Sequence, residues 1–263
     1  MAVIDEKTAW RILDEYVKEC LQIDNESLLA VFAIGSLPSG YYRPGQSDLD
    51  AALIVKDGTE DIWGTCEEYS PRFEALNQKY FTTYKVPKGF GAFPLQQGRL
   101  YPPYPPELTH LPQEIARLKI QGKCIYGQYD LTPVPMPTPD DYLRSVQRFA
   151  EWWRDNGTPT EGLEPSILPD FIRAQVSSFL QIKRGIIEFD KSKQIDRYLA
   201  SNPPCVDVDA LDLVQASVKS GYDFTEGETE KLRSFAIRLQ REVYAHLGIT
   251  ETEENGTRAA KWT

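Results

Sequence analysis

Two short apolar runs, Leu28–Ile34 (LLAVFAI) and Leu49–Val55 (LDAALIV), constrain this chain more than any other feature. Each is too short for a buried helix, and the first is bounded by turn residues, so both read as strands. The segment between them, SLPSGYYRPGQS, carries two prolines and two glycines and must be a loop. An antiparallel pair is the expectation, although a loop this long does not prove it. The second run contains Asp50 and directly follows Asp48. Residues two apart on a strand share a face, with Cα atoms ~6.6 Å apart at ~3.3 Å per residue. Leu49, Ala51, Leu53 and Val55 then point to a core, and Asp48 and Asp50 lie on the face of Ala52 and Ile54. Two unpaired carboxylates so placed repel each other, and burial penalises their charge. A divalent cation such as Mg²⁺ relieves both problems, because it takes oxygen ligands from one or two carboxylates together with substrate phosphates.

The first run ends in Gly35-Ser36. Glycine lets a backbone approach a phosphate closely, and the serine N–H and hydroxyl can donate to phosphate oxygens. Ser47, beside Asp48, offers another hydroxyl. A Gly-Ser pair or an Asp-x-Asp alone is commonplace, and a surface turn explains either. An apolar strand, Gly-Ser, eleven residues and then Asp-Leu-Asp leading into a second apolar strand is a demanding combination.

Around this pair the first half reads as mixed α and β. Lys7–Leu21 has helix spacing, and Asp61–Lys79 reads as a helix with a boundary or kink at Pro71. Tyr80–Val86 (YFTTYKV) reads as a strand from its aromatic and β-branched content. The stretch from Pro87 to Pro106 reads as irregular, Glu107–Leu111 as a short strand, Pro112–Gln121 as a helix stopped at Gly122, and KCIYG as a short final strand or turn. DLTPVPMPTPDDY then places four prolines in seven residues, which no helix or central strand accommodates. The boundary falls there. Helices are expected at Tyr142–Asn156, Leu168–Phe189, Asp207–Ser220 and Thr229–Leu247, the last with a capping box at Thr225 and Glu228. The fold class expected is α+β: a domain over residues 1–132 with a mixed sheet flanked by helices, an all-α bundle over 138–250, and a flexible tail over 251–263.

Composition narrows the function. A net charge of −10 argues against general nucleic-acid binding, and suits a cationic small molecule as well as plain solubility. Four scattered cysteines and two histidines, without a CxxC pair, argue against zinc. No apolar run reaches the ~20 residues of a membrane span. The opening MAVIDEKTAW lacks the apolar segment of a secretory leader, so a cytoplasmic protein with reduced thiols is the expectation.

Ile34-Gly35-Ser36 and Ser47-Asp48-Leu49-Asp50 together resemble the signature of the DNA polymerase β-like nucleotidyltransferase superfamily, in its minimal, antibiotic-modifying branch. The chain looks most like the aminoglycoside adenylyltransferases that act on streptomycin and spectinomycin, which also place a Pro-rich turn before Ser-Asp-x-Asp and a helical domain after it. The specific match spans about Leu28 to Val55. The resemblance implies transfer of a nucleoside monophosphate, AMP from ATP or from another NTP its equivalent, to a hydroxyl of a small-molecule acceptor. It implies two Mg²⁺ ions held by Asp48, Asp50 and a third carboxylate on a neighbouring strand. The run at Tyr80–Val86 has no acid, so Glu107 is the choice, with Glu68 and Glu74 as competitors. Gly35, Ser36 and Ser47 would hold the nucleotide. Lys191, with Lys193 beside it, falls closest to a triphosphate-binding lysine, and Glu164 or Asp170 to a substrate-facing acid. A regulatory, antitoxin-type nucleotidyltransferase acting on a protein partner is the alternative reading.

Overall fold

A computed structural model describes residues 3–45, 47–86, 89–156, 163–220 and 223–249. The chain divides after Pro137 into two compact units. The tail expected over 251–263 lies outside the described residues.

The first unit is built on a four-stranded mixed sheet. The two apolar runs form β1 (Leu28–Ile34) and β2 (Leu49–Val55), paired antiparallel with Ile34 opposite Asp50. β3 (Phe90–Gln96) lies parallel to β2 on the outer side, and β4 (Lys123–Gly127) antiparallel to β1, giving the order β3-β2-β1-β4. Both faces of the sheet are covered, which is why β1 and β2 are apolar almost throughout. Leu49, Ala51, Leu53 and Val55 pack with Ile12, Leu13 and Tyr16 of α1 (Glu6–Ile23) and with Phe73 and Tyr80 of α3 (Pro71–Tyr84). Ala52 and Ile54 pack instead with Leu111, Ile115 and Leu118 of α4 (Leu111–Gln121). The alternation read from the sequence thus matches the two cores, and Asp50 falls on the α4 side.

Four local expectations are corrected. The region 61–79 holds two helices, a single turn α2 (Glu60–Trp63) and then α3. Of the boundary or kink expected at Pro71, the structure has the boundary: Pro71 starts α3, with Ser70 as its N-cap accepting a bond from the Phe73 N–H at 3.2 Å. Tyr80–Val86 is not a strand. Phe73, Leu76, Asn77 and Tyr80 recur at helical spacing on one buried face, so tertiary burial overrides the strand propensity of YFTTY. Asn77 fixes that face in place. Its side chain accepts from the Tyr16 hydroxyl at 2.6 Å and donates to the Ala92 carbonyl at 3.0 Å, joining α1, α3 and β3. The third strand lies instead in the Gly- and Pro-bearing segment FGAFPLQ. Pro94 is tolerated because β3 is an edge strand. Residues around Glu107 form turns rather than a strand, with the Leu108 N–H bonded to the Pro105 carbonyl at 3.1 Å. The paired prolines before Glu107 leave too few donors for a ladder.

The second unit is helical: α5 (Pro139–Asn156), α6 (Leu168–Arg184), α7 (Lys191–Ala200), α8 (Val208–Ser220) and α9 (Glu226–Leu247). α6 is central and packs on α5, α7, α8 and α9 through Phe171, Ile172, Val176, Phe179 and Leu180. It ends at Arg184, short of the expected Phe189, and α7 is an additional helix. The Thr225–Glu228 capping box that starts α9 is present as read from the sequence. No helix among the described residues is long and apolar enough to cross a membrane.

Candidate active site

The register of β1, β2 and β3 assembles the site. Asp50 stands between Ile34 on one neighbour and Gly91 on the other. Gly35, one residue past Ile34, has a φ of +81°, which an L side chain rarely adopts. A Cβ at Gly35 would lie 3.2 Å from one Asp50 carboxylate oxygen and 3.2 Å from an Arg117 nitrogen. A Cβ at Gly91 would lie 3.2 Å from the other Asp50 oxygen. Asp50 is therefore bracketed by two residues without side chains, one beside each oxygen. Such bracketing leaves room for a ligand to reach a carboxylate that the sheet otherwise encloses.

Beside this bracket, the Ser36 hydroxyl is buried and has no hydrogen-bond partner among the described residues. An orphaned buried hydroxyl loses its bond to water without replacement. The loop that follows folds back on itself. Ser39 Oγ donates to the Gly35 carbonyl at 2.8 Å, and the Tyr41 N–H to the Ser36 carbonyl at 3.2 Å. Ser47 is engaged in this loop, its Oγ accepting from the Arg43 N–H at 3.0 Å. Asp48 is partly exposed just before β2.

A residue that the sequence reading passed over completes the cluster. Arg117, on α4, forms an ion pair with Asp50 across the sheet face, with both side chains about three-quarters or more buried (26 % and 17 % exposed). Its second terminal nitrogen lies 3.9 Å from Glu114 of the same helix. Burial works against the Arg117 charge, but Asp50, Glu114 and Asp48 outweigh it, so the guanidinium stays protonated. Burial raises the Glu114 carboxyl above its ordinary range; Arg117 opposes this, and Asp50 and Glu67 add to it. A signal for Glu114, though not for Arg117, was present in the sequence. Glu114 falls in the same helical stripe as Leu111, Ile115 and Leu118, where an apolar residue is expected.

Glu107 is exposed in the turn before α4; the acid that shares Arg117 with Asp50 is Glu114. Glu68 is exposed in a bend, and Glu74 lies in the first turn of α3. In the second unit, Glu164 is exposed ahead of α6, and Asp170 is in its first turn, ion-paired to the buried Arg173. Lys191 is the first residue of α7, and Lys193 pairs with Asp190 at 3.0 Å.

A divalent cation fits the Asp48–Asp50 donor set. Both are hard oxygen ligands two residues apart, and the glycine bracket leaves space beside Asp50. Among the described residues, no three acidic, histidine or cysteine side chains converge as a metal-binding group.

No family model matches the chain, and no curated protein does. Among solved structures it is similar to the spectinomycin adenyltransferase AAD(9) from Enterococcus faecialis, solved with ATP and spectinomycin. The TM-score is 0.59 at 16% sequence identity, covering 89% of this chain and 98% of that one. The likeness is one of fold, and the α+β sheet unit followed by helices is the architecture that the sequence led us to expect.

Proposed function

We propose that this protein is a nucleotidyltransferase that moves a nucleoside monophosphate, AMP from ATP, to a hydroxyl of a small molecule. The observation that carries this reading is the bracketing of Asp50 by Gly35 and Gly91 beside an unpartnered, buried Ser36 hydroxyl. The site offers carboxylates for a metal-bound nucleotide, and a glycine turn with a free donor for its phosphates. The likeness of fold to an adenyltransferase solved with ATP supports the same reading.

Asp48 and Asp50 would hold Mg²⁺ with the nucleotide, and the ion when bound supplies charge neutralisation at the triphosphate. The Gly35 turn lets the phosphates approach the backbone, and the Ser36 hydroxyl donates to a phosphate oxygen. The acceptor oxygen bonds to the α-phosphorus as the bond from that phosphorus to the bridging oxygen breaks. Pyrophosphate leaves in line, and the hydroxyl proton passes to a carboxylate of the site. Most of the rate enhancement then comes from positioning and from charge complementarity. Lys191 is the cation we assign to the triphosphate, and Glu164 or Asp170 the acid we assign to the acceptor. The acidic balance suits a cationic acceptor of the aminoglycoside kind, and spectinomycin is bound by the solved neighbour.

The test is direct. The protein is incubated with Mg²⁺, each labelled NTP and a panel of aminoglycosides and other polyols, and pyrophosphate release is followed. Acceptor-dependent release that Asp50→Asn removes is the expected result. Turnover undiminished in Asp50→Asn would falsify the assignment.

A further inference from the structure

We propose that Arg117 is a resident cation of the nucleotide site, standing at Asp50 in place of one of the two metal ions that the resemblance implies. The proposal rests on the nucleotide-site reading above. The guanidinium reaches one oxygen of Asp50 directly and lies 3.9 Å from Glu114. The charge of Asp48 also acts on it. The guanidinium already supplies positive charge at the Asp50 oxygen where a second ion would stand. A second ion would have to displace Arg117 from Asp50 or crowd a fixed positive charge.

Arg117 is delivered by a rigid element, since Leu111, Ile115 and Leu118 of α4 are seated in the core beneath the sheet. Gly35 accommodates it. A side chain at that position would press on both the Arg117 nitrogen and the Asp50 oxygen. The Asp50 oxygen that Arg117 holds faces Gly35, and its other oxygen faces Gly91. The carboxylate thus meets a protein cation at one oxygen and a glycine at the other. A planar guanidinium beside the Gly-Ser turn also suits phosphate oxygens, which it can contact with donors left over from Asp50.

The experiment counts ions rather than turnover. Chain-bound Mn²⁺ is measured by electron paramagnetic resonance at saturating α,β-methylene-ATP, in the wild-type protein and in Arg117→Ala, Arg117→Lys and Asp48→Asn. The expected result is one Mn²⁺ per chain in the wild type and in Arg117→Lys, with a second ion gained in Arg117→Ala. Asp48→Asn should lose the wild-type ion. Two ions in the wild type that both depend on Asp48 would overturn the role of Arg117 and leave the nucleotide site standing. Arg117→Ala remaining at one ion would overturn it equally. If no bound ion depends on Asp48, the nucleotide-site reading itself fails, and this inference with it.

Discussion

The Asp50 site of the sheet unit and the stretch around α6 and α7 of the helical unit assemble their charged groups in different ways. In the sheet unit, Asp50 meets Arg117 from 67 residues away, across strands and a helix whose register sets the contact. Around α6 and α7 of the helical unit the pairs are local: Asp170 with Arg173 and Asp190 with Lys193 at three residues, Glu188 with Arg197 at nine. The Asp170–Arg173 pair follows from helix geometry, and the other two join the residues just before α7 to that helix. A long-range pair held between two glycines exists only if the whole topology is right. The difference teaches where chemistry is to be sought. Charges brought together by the fold bear on function, and charges paired within a helix bear first on that helix.

Variants can break or sharpen this contrast. The largest effect belongs to Asp50→Asn, expected to lower nucleotidyl transfer by ~10²–10³-fold, the scale of losing a key electrostatic partner of the transition state. Its circular dichroism should stay native. Asp170→Ala should act on stability, because it strips the partner from the buried Arg173 guanidinium. A loss of about 1–3 kcal/mol in urea unfolding is expected. An unchanged midpoint would remove the structural role given to the local pair. Gly35→Ala tests the bracket. The left-handed backbone there costs an L residue about 1–2 kcal/mol, visible as a lower thermal midpoint. The new methyl also presses on the Asp50–Arg117 pair, so nucleotide affinity should fall with the stability. Thr225→Ala has the smallest expected effect, about 1 kcal/mol from a lost cap at the start of α9, with nucleotide binding untouched.

The same contrast explains what could be read in advance. β1 and β2 were legible to the residue, because a fully covered strand has an apolar run with sharp ends. The Thr225 cap was legible because its signal is four residues long. β3 was hidden, since Gly91 and Pro94 look like loop residues, yet one makes room for Asp50 and the other sits on an edge. YFTTY misled in the other direction. Its aromatic content is that of a strand, and its true periodicity appears only when Phe73 and Leu76 are counted with Tyr80. At the site, Gly35, Ser36, Asp48 and Asp50 could be named because one hairpin carries them all. Arg117 could not, because nothing in the local sequence says which carboxylate α4 will cross.

Pro94 has a consequence for assembly. A sheet with a free outer strand invites another chain to pair with it. β3 is that outer strand, and a proline fits it only where its missing N–H would point away from β2. That outer edge therefore lacks a donor at its middle, and the Ala92 carbonyl on the same side is already taken by the Asn77 side chain, so a docking strand would find an interrupted ladder. The substitution that restores the donor, Pro94→Val, would make this rim a better template for self-association than the native strand.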